Sequence, residues 1–564
     1  MHVIGTAGHV DHGKSTLVEK LTGIDPDRFA EEKARGLTID LGFAWLSLPS
    51  GHEVGIIDVP GHERFIRNML AGAGGVTICL FVVSAVEGWM PQSAEHLAII
   101  DILGVSAGIV ALTRADLVDE ERLDSVRADL TARLAGTSLE GSAVVACAAP
   151  SGRGMDDLVA ELDRLVAVTP PAPDLGRPRL WVDRVFTIAG AGTVVTGTLA
   201  GGWFRVGDTV EIAPEGRRAR IRTIQRHNRE VETIGPGNRV ALNLAGLERA
   251  GAARGDAIVR PGDFRPTRRI DVQLRMLPPD LMGAGQPEGG QDRRGQGHVL
   301  RERGAHLLYA GAAETTVRIR LLDRDRVLPG ETAFAQLTLA DALPLQRGDR
   351  FVLRDAGRVL TFGGGRVIDP APAPARRDDE RVALLARLVD ADAPAALEAL
   401  VDAAGAIDRD DALFRSGAED VPPTITDAGG VLLSRPEVAR RQAAERARIE
   451  SLGSEAVEVL ARIEAAGLSP PMTKDLGSAG AVVRHLVASG DLVRIGDFHL
   501  TAAWAAEARR RVRAHIEENG PATVAEIRDL LGITRKHAVP LCEWLDATGA
   551  TRREGDVRLL GPNP

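Results

Sequence analysis

The chain has 564 residues, 44% of them hydrophobic and 26% charged, the composition of an ordinary soluble globular protein too long for a single core. A net charge of −9 excludes a generally basic nucleic-acid binder, so any such surface must be a local patch. The cysteines, Cys79, Cys147 and Cys542, stand far apart without metal-ligand spacing and fit a reducing compartment. A strand pattern that begins at once, and the lack of any apolar run near ~20 residues, predict a cytoplasmic protein with no signal peptide and no membrane partner.

The first predicted strand, His2 to Ala7, runs into Gly8-His9-Val10-Asp11-His12-Gly13-Lys14-Ser15, and a helical pattern follows from Thr16 to Leu21. A glycine, four residues and Gly-Lys-Ser between strand and helix is the spacing of a phosphate loop. Main-chain N–H groups and the helix N-terminus converge there on phosphate, and the two glycines permit an approach that a Cβ would block. Lys14 would reach the β and γ phosphates and Ser15 would bind Mg²⁺. Buried-strand runs at Ile56 to Asp58, Val76 to Val83, Gly108 to Leu112 and Ala143 to Ala146 alternate with helical patterns. This predicts a doubly wound α/β domain over residues 1–170.

Three further motifs fall at strand ends. Asp58-Val59-Pro60-Gly61-His62 offers Asp58 to Mg²⁺ through water and the Gly61 N–H to the γ phosphate. Thr38, in Arg35-Gly36-Leu37-Thr38-Ile39, supplies a second hydroxyl for Mg²⁺. Thr113-Arg114-Ala115-Asp116 places a carboxylate to accept two hydrogen bonds from a guanine edge. Each motif is common by chance, but in this order they predict a GTPase binding GTP or GDP with Mg²⁺.

Pro170-Pro171-Ala172-Pro173 makes a stiff linker. Beyond it, short β-branched segments punctuated by glycine predict two small β-barrels, at 174–262 and 265–370, with an aperiodic loop at 278–297. After Pro370-Ala371-Pro372-Ala373-Pro374 the chain turns helical. Two stretches, 452–502 and 503–564, end in hairpin patterns around Gly496-Asp497 and Gly555-Asp556, and predict winged helices. A less regular unit at 378–437 is a third.

Gly8 to Ser15 and Asp58 to His62 resemble the wording of translational GTPases of the elongation factor Tu group, which also carry a G domain and two barrels. The resemblance implies that His62 orients the attacking water on the ribosome. It places Arg114 where the guanine motif usually has Lys, and Cys147-Ala148 where the second guanine loop usually has Ser-Ala. Arg can cover the base with its stem and planar head.

The tail resembles more particularly the selenocysteine-specific elongation factors of bacteria. This rests on Asp183-Arg184-Val185-Phe186, Gly348 to Asp355, Thr361 to Pro370, and above all Arg535-Lys536-His537-Ala538-Val539-Pro540-Leu541 with Thr551 to Arg558. The resemblance implies a monomer that delivers selenocysteyl-tRNA to the ribosome at UGA codons marked by a messenger-RNA hairpin. It implies a selenocysteine pocket of Asp183, Arg184 and Arg239, with Asp183 holding the arginines. The hairpin would be gripped through Arg535, Lys536, His537, Arg552, Arg553 and Arg558. Two other readings compete. A GTP-switched winged-helix regulator of DNA has no need of two barrels, and a general aminoacyl-tRNA carrier has no need of the long tail.

Overall fold

The computed structural model describes the chain except residues 1, 27–40, 61–74, 189–191, 248–250, 283–298, 303, 305, 358–359, 375–377, 452, 477–479 and 563–564. It also leaves out the side chains of 188, 445, 446 and 448–451. Thr38, Gly61, His62 and most of the 278–297 loop therefore lie outside the described residues. The chain divides into two compact units, residues 1–434 and 435–564.

The first domain holds β1 (Val3–Ala7), α1 (Lys14–Thr22), β2 (Gly42–Ser47), β3 (Glu53–Asp58), β4 (Ile78–Ser84), α2 (Pro91–Leu103), β5 (Ala107–Thr113), α3 (Glu120–Leu134), β6 (Ala143–Ala146) and α4 (Met155–Val168). Its six-stranded sheet has the order β2-β3-β1-β4-β5-β6, parallel except for the β2–β3 edge pair. Every residue of β4 is buried because the pleat sends alternate side chains to two cores. Cys79, Phe81 and Val83 pack with α2 and α3, and Ile78, Leu80 and Val82 with α1 and α4. Covering both faces is what permits a parallel sheet of continuous hydrophobic runs.

The second domain begins with β7 (Arg179–Trp181), β8 (Arg184–Ile188) and β9 (Gly192–Ala200). Strand Thr209–Ala213 pairs with both Ala257–Val259 and Arg217–Arg226, closing a ring through β7, β9 and Asn238–Ala245. The third domain is a closed barrel of strands Thr267–Met276, Thr332–Leu343, Ala313–Leu321, His306–Ala310, Arg350–Asp355 and Thr361–Asp369, in spatial order. Helix α2 docks the G domain on it. Buried Glu95 accepts from Arg354 at 3.2 Å and from the Thr361 hydroxyl at 2.9 Å.

The proline run after Asp369 does not set the next unit apart. Helices α5 (Asp379–Leu388), α6 (Ala393–Ala404) and α7 (Arg409–Ser416), with a small sheet, pack directly on the third domain. Leu322 and Ile368 of the barrel share a core with Leu385, Leu388 and Ala396. Two ion pairs flank it, Arg381 to buried Asp271 and Arg415 to buried Asp369, the latter at 2.7 Å. Where the sequence suggests a spacer at 370–374, apolar burial fuses the unit to the barrel, and the compact division falls after Ser434.

The second unit opens with α8 (Arg435–Ser451). It continues through α9 (Ser454–Ala466), α10 (Gly480–Ala488) and the hairpin Leu492–Ile495/Phe498–Thr501. Then come α11 (Ala502–Asn519), α12 (Val524–Leu531), α13 (Arg535–Ala547) and the hairpin Thr551–Glu554/Val557–Leu560. The two hairpins turn on Gly496 (φ 56°) and Gly555 (φ 63°), left-handed values that the Gly-Asp turns require. Leu468, Ile495, Phe498 and Leu500 share one core with Ala538, Leu541 and Leu545, so these two winged helices form a single body.

Candidate functional site

The phosphate loop lies between β1 and α1. Gly8 adopts φ 124°, and a Cβ there would meet the Val82 carbonyl oxygen at 2.1 Å, so no other residue fits. Lys14 is buried and folds back on the loop, its Nζ donating to the carbonyls of Gly8 (3.0 Å) and His9 (2.7 Å). Burial lowers its pKa to about 8, against the opposing pull of Asp58 and Asp11. The Ser15 hydroxyl donates to Asp58 at 2.7 Å, and Thr6 donates to the other Asp58 oxygen at 2.7 Å while accepting from the Val59 N–H at 3.0 Å. Three elements thus bring two hydroxyls and one fully buried carboxylate together beside the loop. His12 is buried beside Glu87, and burial lowers its pKa to about 4.

Two residues that motif reading missed support the loop from α2. Gln92 accepts from the Val10 N–H at 3.1 Å, and His96 Nδ1 accepts from the Gly8 N–H at 3.0 Å. Burial, with Lys14 close by, pushes His96 down to about 3, so it is neutral and able to accept. The available signal was chemical: Gln92, Glu95 and His96 are polar residues at the start of a helix that runs on as Leu-Ala-Ile-Ile. Glu95 faces the third domain, so adjacent residues of one helix hold the loop and a barrel.

At the far end of the cleft Arg114 has left-handed backbone (φ 56°) and sends its guanidinium to the Asp11 carbonyl and, at 3.3 Å, to Glu87. Asp116 is exposed, on a short 3-10 turn. The Ala115 N–H donates to the Cys147 carbonyl at 3.2 Å, tying the two guanine segments together. Main-chain N–H groups of Cys147 and Ala148 are already spent, on Leu112 (2.8 Å) and Arg153 (2.8 Å) carbonyls. The Cys147 thiol is buried and its pKa is raised by burial to about 11, so it is inert packing. His9, Val10, Gly13, Thr16 and Thr113 also line this stretch; the Thr113 hydroxyl donates to the His12 carbonyl at 2.8 Å.

On the second domain, Asp183, Arg184 and Arg239 do come together, and they do so against the G domain. Arg239 makes a two-nitrogen contact with buried Asp183, one bond at 2.8 Å, and Thr196 donates to the same carboxylate at 2.8 Å. Arg184 donates to the Leu41 carbonyl. Both guanidiniums stack on Phe43 of β2, their carbons 3.8 Å (Arg239) and 4.8 Å (Arg184) from the ring centroid. Nothing in the sequence joins Phe43 to residues 140 positions or more away; only the packing of β2 on the barrel does. Nearby, Trp45 stacks on His227 at 5.6 Å and Arg226 pairs with Glu53, fixing the same interface.

In the last winged helix the six predicted RNA contacts separate. Arg535 and Lys536, in the first turn of α13, and Arg552 and Arg553, on the hairpin, are exposed. His537 is 2% exposed; its Nε2 meets the Pro470 carbonyl at 2.9 Å and its ring lies edge-on to Phe498. Arg558 is 3% exposed and donates to Asp546 at 3.1 Å. These two residues join and brace the winged helices and do not face solvent. Strand parity also sets Arg552, opposite Leu559, and Arg553, opposite Arg558, on opposite faces of the wing.

Phosphate loop, guanine segments and a barrel stacked on the G domain define a translational GTPase. Residues 1–168 match the elongation factor Tu GTP binding domain and residues 192–259 elongation factor Tu domain 2. Elongation factor Tu 2 of Streptomyces avermitilis is 31% identical over 64% of this chain and 95% of its own length. Residues 296–374 match the β-barrel domain of the selenocysteine-specific elongation factor, and residues 514–560 the winged helix of elongation factor SelB. Selenocysteine-specific elongation factors of Desulfomicrobium baculatum and Escherichia coli are 34% and 32% identical, each over 99% of this chain and 99% and 98% of their own lengths. The chain belongs to the selenocysteine-specific elongation factors and is a GTPase. A crystal structure of a bacterial member superimposes with a TM-score of 0.68 at 25% identity over 99% of both chains. The Methanococcus maripaludis factor, solved with a GTP analogue, shares the fold at a TM-score of 0.53, 23% identity, over 66% of this chain and 79% of its own. Among the described residues no helix is long and apolar enough to cross a membrane.

Proposed function

We propose that this GTPase binds selenocysteyl-tRNA in its GTP form, brings it to the ribosome at UGA codons marked by a messenger-RNA hairpin, and hydrolyses GTP on delivery. The observation that carries this reading is the stacking of Arg184 and Arg239 on Phe43. One carboxylate, Asp183, stands against two guanidiniums, leaving the cluster a net cation where an anionic group gains most. A selenol is more acidic than a thiol and is anionic near neutral pH, whereas the hydroxyl of the serine precursor is neutral. The Phe43 ring and the Leu41 carbonyl hold the guanidiniums without neutralising their charge, which is what would attract the selenolate.

At the nucleotide, Ser15 and Asp58 suit Mg²⁺, a hard cation with oxygen ligands, and Thr38 completes the hydroxyl pair. The ion would neutralise charge on the β and γ phosphates. Lys14 would leave the loop carbonyls for phosphate oxygens, Asp116 would read the guanine edge, and His62 would orient the attacking water. Arg535, Lys536, Arg552 and Arg553 would hold the hairpin, in a protein working as a monomer in the cytoplasm. The deciding experiment is to identify which aminoacyl-tRNA co-purifies with the protein locked by a non-hydrolysable GTP analogue. Selenocysteyl-tRNA, or its seryl form at much lower occupancy, is expected; an unselective mixture of tRNAs overturns the reading.

A further inference from the structure

A cavity of about 330 Å³ opens where the G domain, both barrels and the first proline linker meet, away from the nucleotide loop and from Phe43. Its volume falls in the range of small-molecule sites, about 300–1,000 Å³. Four guanidiniums line it, Arg177, Arg179, Arg347 and Arg350, against one carboxylate, Asp349. Arg179 takes both oxygens of that carboxylate, at 2.6 Å each, and stacks on Trp181 and Phe264. The other three donate to main-chain carbonyls: Arg177 to Ala418, Arg347 to Leu388 and Ala391, Arg350 to Ile102. A carbonyl satisfies an N–H but does not neutralise a charge. Asp392, near Arg347, and Asp101, near Arg350, act only from outside the lining. The Nε atoms of Arg179 and Arg347 are buried with no hydrogen-bond partner among the described residues, and Arg179 is only 7% exposed.

We infer that this junction is a binding site for a small organic anion: a flat apolar body, lying near Trp181, that carries one carboxylate, sulfonate or phosphate for the arginines. Such a molecule would touch all three domains at once, so its binding would favour the arrangement in which they now stand. The site is independent of the cargo reading, since no lining residue belongs to the nucleotide, cargo or hairpin clusters.

The test is a fluorescence titration of the full chain with 8-anilinonaphthalene-1-sulfonate, a flat anion of this class, and with its uncharged counterpart N-phenyl-1-naphthylamine. One saturable site per chain is expected for the sulfonate, with the neutral probe weaker by about tenfold or more, the size of one lost charge-assisted bond. Arg347→Gln should weaken sulfonate binding by a similar factor. Ala172→Trp, which fills the linker wall and removes no charge, should abolish it while GTP-analogue affinity stays unchanged. Should Arg347→Gln fail to fold, Ala172→Trp decides alone. Non-saturable enhancement, equal binding of the two probes, or a site that survives Ala172→Trp would overturn the inference.

Discussion

The barrel and the last winged helix each gather arginines on an acidic protein, and they handle the charge in opposite ways. On the second domain, Arg239 is locked by Asp183 and Thr196, and both cluster arginines press on one ring. On the wing, Arg552 reaches Glu554 only at 3.4 Å and Arg553 bends back to the Gly555 carbonyl. A fixed, partly dry cation discriminates one small anion by geometry and desolvation. Exposed, loosely held cations exchange their counterions for a polyanion and gain affinity with little discrimination of their own. Within the last unit Arg558 makes the same contrast, because it is buried on Asp546 beside its exposed neighbours.

The largest expected effect is at the wing. Joint replacement of Arg552 and Arg553 by Ala should abolish hairpin binding and flatten its salt dependence by about one to two units of slope. GTP affinity should be untouched; filter binding across a salt series, with nucleotide titration in parallel, would show either failure. Next comes turnover. His62→Ala should slow ribosome-stimulated GTP hydrolysis by on the order of 10²-fold while binding of GTP and tRNA persists, and normal stimulated rates would remove His62 from the mechanism.

Arg239→Ala should weaken selenocysteyl-tRNA binding by one to two decades, about 1.5–3 kcal/mol, and seryl-tRNA binding far less. Equal losses for the two cargoes would erase the distinction between fixed and loose cations. The smallest effect concerns Lys14, whose pKa burial lowers to about 8. Phosphate binding requires the charged amine, which is already present below that pH and must regain a proton above it. GTP affinity should therefore be level to about pH 8 and then fall by at most about tenfold per unit, with proton uptake seen by calorimetry in buffers of different ionisation enthalpy. A pH-independent affinity up to pH 9.5 would show that Lys14 is not the phosphate-reaching cation.

Much of this was legible along the chain because local patterns carry it. Buried runs alternating with helices give the α/β domain, and the phosphate loop's glycines, lysine and serine are adjacent in sequence as in space. What was not legible is what packing decides. Phe43 meets Arg184 and Arg239 only because β2 lies on the second domain. Gln92 and His96 reach the loop from a helix some eighty residues on. Arg558 looks like its neighbours Arg552 and Arg553, since Val-Arg-Leu-Leu gives no alternation to say which way it points. Its burial follows from Asp546, supplied by the preceding helix. His537 reads as a surface cation and is instead a neutral, buried brace, its pKa lowered by that burial.

The seam between the third domain and the helices after it bears on where this polypeptide can be cut. The second proline run invites a truncation at about residue 374, and elongation factor Tu 2 of Streptomyces avermitilis, 95% of whose length is matched by only 64% of this chain, invites the same cut. Here that cut would strip Arg381 and Arg415 from the buried carboxylates Asp271 and Asp369 and bare Leu322 and Ile368. Orphaning a buried charge of this kind costs about 3–5 kcal/mol, enough to tip a marginal domain towards aggregation. A truncation after Ser434 leaves every one of these contacts whole, so the cut that respects the packing falls some sixty residues beyond the proline run.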